Sequence, residues 1–284
     1  MERAITMALD GWQCKTIEQV KAVLERDEDV RGLVLIGSYT RDDIRTDIWS
    51  DVDIVIVVAG QALSRFYPAT DWVSAIGEPY CFSQSSTNDY CVTRVYFEDG
   101  RRLDVVIASE SSLAAIEAWE DNPLRYTNTC LFSRSPALDR ALSMHFSPPV
   151  LKPVSPEEFD RMANDFVFKG MLAVSKIGRA ELLVALHLSL DMIRDCLVLA
   201  MMIRDRENGS DHHRDGSEGN HFIELLQATQ QPYTANGILD SIERSAQAFD
   251  DLASKWREGC KPRRGALLKW IEEARKNEED LPCK

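Results

Sequence analysis

The chain has 284 residues, 44% of them hydrophobic, enough for one large packed domain or two ordinary ones. Its formal net charge of −13, from 46 acidic and 33 basic residues, leaves no cationic surplus to meet a nucleic-acid backbone and suits a cationic small molecule better. No apolar run reaches the roughly 18 residues of a membrane span, and the first 30 residues carry Asp10, Lys15, Glu18 and Lys21 in place of a signal-peptide apolar region, so the expectation is a cytoplasmic chain with no membrane partner.

Residues 16–29 open on Thr16, with Gln19 at capping-box spacing and Val20, Val23 and Leu24 at helical intervals, which predicts a helix. Residues 32–36 form a short apolar β-branched run that ends at Gly37-Ser38, a buried strand entering a turn. After a polar stretch over 39–50, residues 52–58 read as a second buried strand, closed by Gly60. Residues 92–98 and 102–107 flank Asp99-Gly100, a dipeptide suited to the positive φ angles of a tight hairpin. Ser109 to Glu120 reads as helical. The prolines at 136, 148, 149, 153 and 156 make 133–155 a linker, with the domain boundary near 150.

Beyond the boundary the pattern turns helical. Ser155 and Glu158 form a second capping box, and helices are expected at 156–177, 180–207, 220–229, 235–256 and 263–277. The expected architecture is therefore mixed α+β: residues 1–150 form a small mixed sheet with flanking helices, and 151–284 form a helical bundle. The seven cysteines have neither CxxC pairs nor regular spacing, which argues against a disulfide framework and structural zinc. Adjacent His212 and His213, in the glycine-rich loop 211–220, also lack the spacing of a zinc site. His187, within an apolar stretch, reads as a core histidine, and Met192, Met201 and Met202 as packing residues.

The chemistry is concentrated at Gly37-Ser38 and, twelve residues later, Asp51-Val52-Asp53, with Asp104 on a later strand. Alternate residues of a strand face one side, so Asp51 and Asp53 aim two carboxylates at one spot. Hard oxygen donors of this kind hold magnesium, and two such ions clamp the attacking and leaving oxygens of an in-line transfer at phosphorus. An unpartnered Asp53 in so apolar a strand would cost several kcal/mol. Gly37 permits close backbone approach, and Ser38 adds a hydroxyl beside the backbone amides to hold phosphate oxygens. Neither a GxxxxGK[ST] loop nor a GxGxxG turn follows a strand in the amino-terminal region, which excludes P-loop and Rossmann nucleotide sites.

The order helix, strand, Gly-Ser, loop, Asp-x-Asp strand, hairpin and third Asp resembles the nucleotidyltransferase superfamily that includes DNA polymerase beta. Phe97-Glu98-Asp99-Gly100-Arg101-Arg102-Leu103-Asp104 is similar to the third-carboxylate hairpin of bacterial aminoglycoside 6-adenylyltransferases, and Phe166-Val167-Phe168-Lys169-Gly170-Met171 to a lysine-bearing helix of that family. The likeness extends over about residues 1–225. It implies ATP as co-substrate, Asp51, Asp53 and Asp104 as the catalytic and metal-site carboxylates, and Lys169 as a triphosphate contact. Ile36 and Tyr39 stand where the family commonly has Asn and Arg around Gly-Ser, which leaves Arg41 as the replacement cation; loop 211–220 lacks the expected lysine. The implied acceptor is an aminoglycoside such as streptomycin, its ammonium groups met by acidic residues such as Asp191, Asp195 and Glu181. The alternatives are a lincosamide-like or protein acceptor, or a nucleotide-binding regulatory module without turnover.

Overall fold

A computed structural model of the chain describes residues 11–41, 46, 50–119, 122–146, 154–208 and 234–279. The chain divides into two compact units, Met1–Pro148 and Pro149–Lys284.

The first unit is built on a six-stranded sheet: β1 (Val30–Ile36), β2 (Val52–Val58), β3 (Pro79–Ser86), β4 (Cys91–Phe97), β5 (Arg102–Ser109) and β6 (Thr129–Ser133). Their spatial order is β3-β4-β5-β2-β1-β6, with β2 and β5 parallel and every other pair antiparallel. The two central strands read as continuous apolar runs because both faces are covered. On one face Ile54, Ile56, Leu103, Val105 and Ile107 pack with Val20 and Leu24 of helix α1 (Trp12–Leu24) and with Phe66, Val73 and Ile76. On the other, Val34, Val55, Val57 and Ala108 pack beneath Leu113, Ile116, Trp119 and Leu138.

Several boundaries differ from the sequence expectation for identifiable reasons. Helix α1 begins at Trp12, and Thr16 lies inside it instead of capping it. The Thr16 side chain is fully buried; its hydroxyl donates to the Trp12 carbonyl at 2.9 Å and accepts from the Arg101 guanidinium at 3.0 Å. The expected helix over 109–120 is a run of 3₁₀ turns, Glu110–Ala118, broken at Ala115.

The expected linker over 133–155 instead contains the end of β6 and helix α3 (Pro136–Ser143). Pro136 starts that helix: Ser135 caps it by accepting from the Leu138 amide at 3.1 Å, and a proline in the first turn has no amide to waste. Strand β3 carries no strand signal in its sequence, because it is an exposed edge of polar and aromatic residues with no apolar alternation. Short helix α2 (Leu63–Phe66), a single turn, likewise lacks a helical period to read.

The second unit is helical throughout its described residues: α4 (Pro156–Ile177), α5 (Leu182–Asn208), α6 (Ala235–Trp256) and α7 (Gly265–Glu279). The capping box forms as expected, Ser155 accepting from the Glu158 amide and Glu158 from the Ser155 amide. Apolar positions of all four helices share one core, at whose centre Phe166 and Phe249 stack with ring centroids 4.0 Å apart. His187 is not part of it: its side chain is 73% exposed and lies 3.8 Å from Asp191. The buried stripe of α5 runs through Ala185, Met192, Cys196, Leu199 and Ile203, and position 187 falls off that face. The expected helix 220–229 and the loop 211–220 lie outside the described residues.

Candidate active site

Strand register brings the three aspartates together. Asp53 on β2 is directly opposite Asp104 on β5, and the same parallel register sets Asp51, one residue before β2, against Arg102. One carboxylate oxygen from each of Asp51, Asp53 and Asp104 lies within 4.8 Å of the other two. Asp104 is 9% exposed, whereas Asp51 and Asp53 are half-buried. Buried Gln13 of α1 donates to the Ser50 carbonyl at 3.0 Å and so fixes the approach to Asp51.

The Gly37-Ser38 turn abuts this cluster. Gly37 has φ +77°, and a β-carbon there would meet Asp53 Oδ2 and come within 3.0 Å of Asp53 Cβ and Cγ. Glycine is therefore what allows the backbone and the Asp53 carboxylate to occupy adjacent space. Thr40 ties down the 3₁₀ turn Gly37–Thr40, its hydroxyl lying 2.8 Å from both the Gly37 and Thr127 carbonyls. Arg41 follows that turn, exposed, its amide donating to the Ser38 carbonyl at 3.3 Å.

Two arginines that the motifs do not single out complete the cluster. Arg102 grips Asp104 with a fork, Nε to Oδ1 at 2.9 Å and Nη2 to Oδ2 at 2.7 Å, while its Nη1 lies 3.3 Å from Asp51. Arg94, opposite Asp104 on β4, donates to the same Oδ2 at 3.1 Å. Burial alone would lower the Arg102 pKa, but its hydrogen bonds to Asp104 and the charges of Asp104 and Asp51 outweigh that and raise it, which fixes the positive charge. Strand alternation finds Arg102, two residues before Asp104 on β5, whereas Arg94 shares that face through its pairing with Asp104 across the hairpin.

The donor set fits a hard divalent cation. Three carboxylates converge and the backbone at Gly37 leaves room beside Asp53, while the two arginines hold the cluster together and leave it net negative.

Lys169 lies on α4, in the other unit, and is ion-paired to Asp195 of α5 at 2.6 Å. Glu181 is paired at 2.6 Å with Lys176, whose hydrogen bond lowers the Glu181 pKa. Two of the three acidic residues considered for substrate ammonium groups thus already hold a lysine, and Asp191 lies near His187. No helix among the described residues is long and apolar enough to cross a membrane.

The sequence model of a family described as streptomycin adenylyltransferase matches residues 13–255. The crystal structure of an aminoglycoside 6-adenyltransferase from Bacillus subtilis is similar over 93% of this chain and 97% of that one, with 16% identity and a TM-score of 0.41. A search of curated proteins gives no match.

Proposed function

Because the chain belongs to the streptomycin adenylyltransferase family and is thus a nucleotidyltransferase, we propose that it transfers AMP from ATP to a hydroxyl of an aminoglycoside such as streptomycin and so confers resistance. The observation that carries this reading is the convergence of Asp51, Asp53 and Asp104 beside the Gly37 turn. The net charge of −13 supports a cationic acceptor.

In this reading residues 1–150 are the catalytic domain and 151–284 the substrate-binding domain. Amides of the Gly37-Ser38 turn and the Ser38 hydroxyl hold the triphosphate, with Arg41 as a further cation. Asp51 and Asp53, with Asp104 as base or further ligand, would hold two magnesium ions, which when bound would neutralise charge on the phosphates and acidify the attacking hydroxyl. Asp104 takes the acceptor hydroxyl's proton or helps hold the metal that acidifies it, its own position fixed by Arg102 and Arg94. Lys169, steadied by Asp195, balances charge on the departing pyrophosphate.

Asp53→Asn tests the chemistry: pyrophosphate release with ATP, magnesium and streptomycin is expected to vanish while the thermal midpoint stays within a few degrees of wild type. Turnover close to wild type would refute the mechanism. An acceptor panel read by mass spectrometry tests the substrate, with an AMP-sized addition to streptomycin expected. Modification of only a non-aminoglycoside acceptor would move the assignment.

A further inference from the structure

The arginine that spans two of the three carboxylates has a role of its own. Arg102 and Asp104 alternate on β5 and face the same side, and parallel pairing with β2 brings Asp51 opposite Arg102. The three contacts of Arg102 are unequal. Its hold on Asp104 is a charge-assisted fork of 2.9 and 2.7 Å, whereas its hold on Asp51 is a single contact of 3.3 Å. On the neighbouring strand Tyr96 pairs with Arg102, its ring centroid 5.8 Å from the guanidinium carbon, giving that cation an aromatic neighbour. Arg94 adds a second hold on Asp104 at 3.1 Å, and no Arg94 contact to Asp51 accompanies it among the described ion pairs.

We infer that Arg102 is the built-in counter-cation of this site: it holds Asp51 and Asp104 together before metal arrives, yields Asp51 to the metal, and keeps Asp104 in place. The inference rests on the metal-site reading above. Three carboxylates packed this closely repel one another, and Arg102 relieves that repulsion at two of them. A divalent ion bound to Asp51 competes with the guanidinium for one carboxylate and is repelled by its charge. The weakest of the Arg102 contacts is the one that must break, and the fork on Asp104 survives. Arg102 is thus a positioning residue whose charge lowers metal affinity in exchange for an ordered metal-free site.

The test is manganese binding to the full-length protein, followed by the electron paramagnetic resonance signal of free Mn²⁺, in wild type, Arg102→Gln and Asp53→Asn. Glutamine keeps a hydrogen-bond donor for Asp104 but removes the charge. Arg102→Gln is expected to bind Mn²⁺ about tenfold more tightly, to unfold at a lower temperature in chelator, and to show a reduced kcat with a lower Mn²⁺ requirement. A purely structural arginine would lower stability without tightening the metal. Unchanged or weaker Mn²⁺ binding in Arg102→Gln, with wild-type binding that Asp53→Asn removes, overturns the inference and leaves the metal site standing. Wild-type protein whose Mn²⁺ binding is absent or untouched by Asp53→Asn overturns both. If Arg102→Gln is insoluble, Arg102→Lys replaces it: an ammonium has no fork with which to span both aspartates, and a tightening of about threefold is expected, with unchanged affinity again counting against the role.

Discussion

Replacing Gly37 by alanine separates backbone strain from damage to the site. A non-glycine residue in the left-handed region costs about 1–2 kcal/mol, and Gly37 sits there at φ +77°. In a domain of this size such a loss corresponds to roughly 2–8 °C in the thermal midpoint. The new β-carbon would also press on Asp53, 3.0 Å from its Cβ and Cγ. These atoms lie next to the β2 backbone, so the collision cannot be relieved by swinging the end of a flexible chain; the turn or the carboxylate must move. A displacement near 1 Å of a catalytic group costs about 100-fold in rate. Gly100→Ala is the matched control, since Gly100 has φ +84° but nothing within 4 Å of the added carbon. Both variants should lose stability by calorimetry, Gly37→Ala the more because of its added collision, while only Gly37→Ala should lose about 100-fold in kcat/KM, measured as pyrophosphate release. If Gly37→Ala turns over at nearly the wild-type rate, or if Gly100→Ala falls as far, the link between this turn and Asp53 is wrong.

Other outcomes follow from the helical unit. Ala180, between α4 and α5, is held at φ 58°; Ala180→Gly should raise stability by up to about 1 kcal/mol, because relief of strain exceeds the added chain entropy, and a lowered melting midpoint would contradict this. Phe166→Ala removes one ring of the buried 4.0 Å stack with Phe249 and should cost about 3–5 kcal/mol in chemical denaturation; a loss below about 1 kcal/mol would mean the core refills the space. The pKa of Glu158 is lowered by its hydrogen bonds with Ser155, and that of Glu181 by its hydrogen bond to Lys176. A carboxylate with a lowered folded-state pKa contributes stability that is complete above its unfolded value, about 4.3, and is lost as pH falls through the folded value. Melting midpoints followed from about pH 6 to pH 3 should therefore fall less steeply in a Glu158→Gln, Glu181→Gln double variant than in wild type; identical slopes would exclude the linkage.

The parts of this protein that are legible in the sequence are those where a local rule and the tertiary environment agree. Residues 52–58 read as a central strand, since β-branched residues dominate the run and pairing on both sides buries all six apolar side chains while leaving one aspartate at its mouth. The Ser155/Glu158 box marks the start of α4 because its two hydrogen bonds lie within four residues. Thr16 obeys the same rule in form and breaks it in fact, for its hydroxyl is claimed by Trp12 and by Arg101, a residue 85 positions away. Pro136 misleads in the opposite way: proline ends a helix only from inside it, and after a capping serine it begins one. The candidate site divides along the same line. Asp51 and Asp53 declare themselves by their spacing at the entry of one strand, but the arginines paired with Asp51 and Asp104 stand on other strands of the sheet. Arg94 and Arg102 acquire meaning only when register sets β4 against β5 and β5 against β2. The hairpin at Asp99-Gly100 is legible and alternation along β5 puts Arg102 on the side of Asp104, but a two-residue turn there would set Arg94 against Val105 on the opposite face, so residue order alone is enough to place Arg102 and not Arg94, which pairs with Asp104. It is not enough for the contact from Arg102 to Asp51, which depends on a parallel pairing between strands that are not consecutive in the chain. The acid–base balance of the site is therefore a property of sheet topology, and changes to that pairing should alter metal affinity even where all three aspartates are kept.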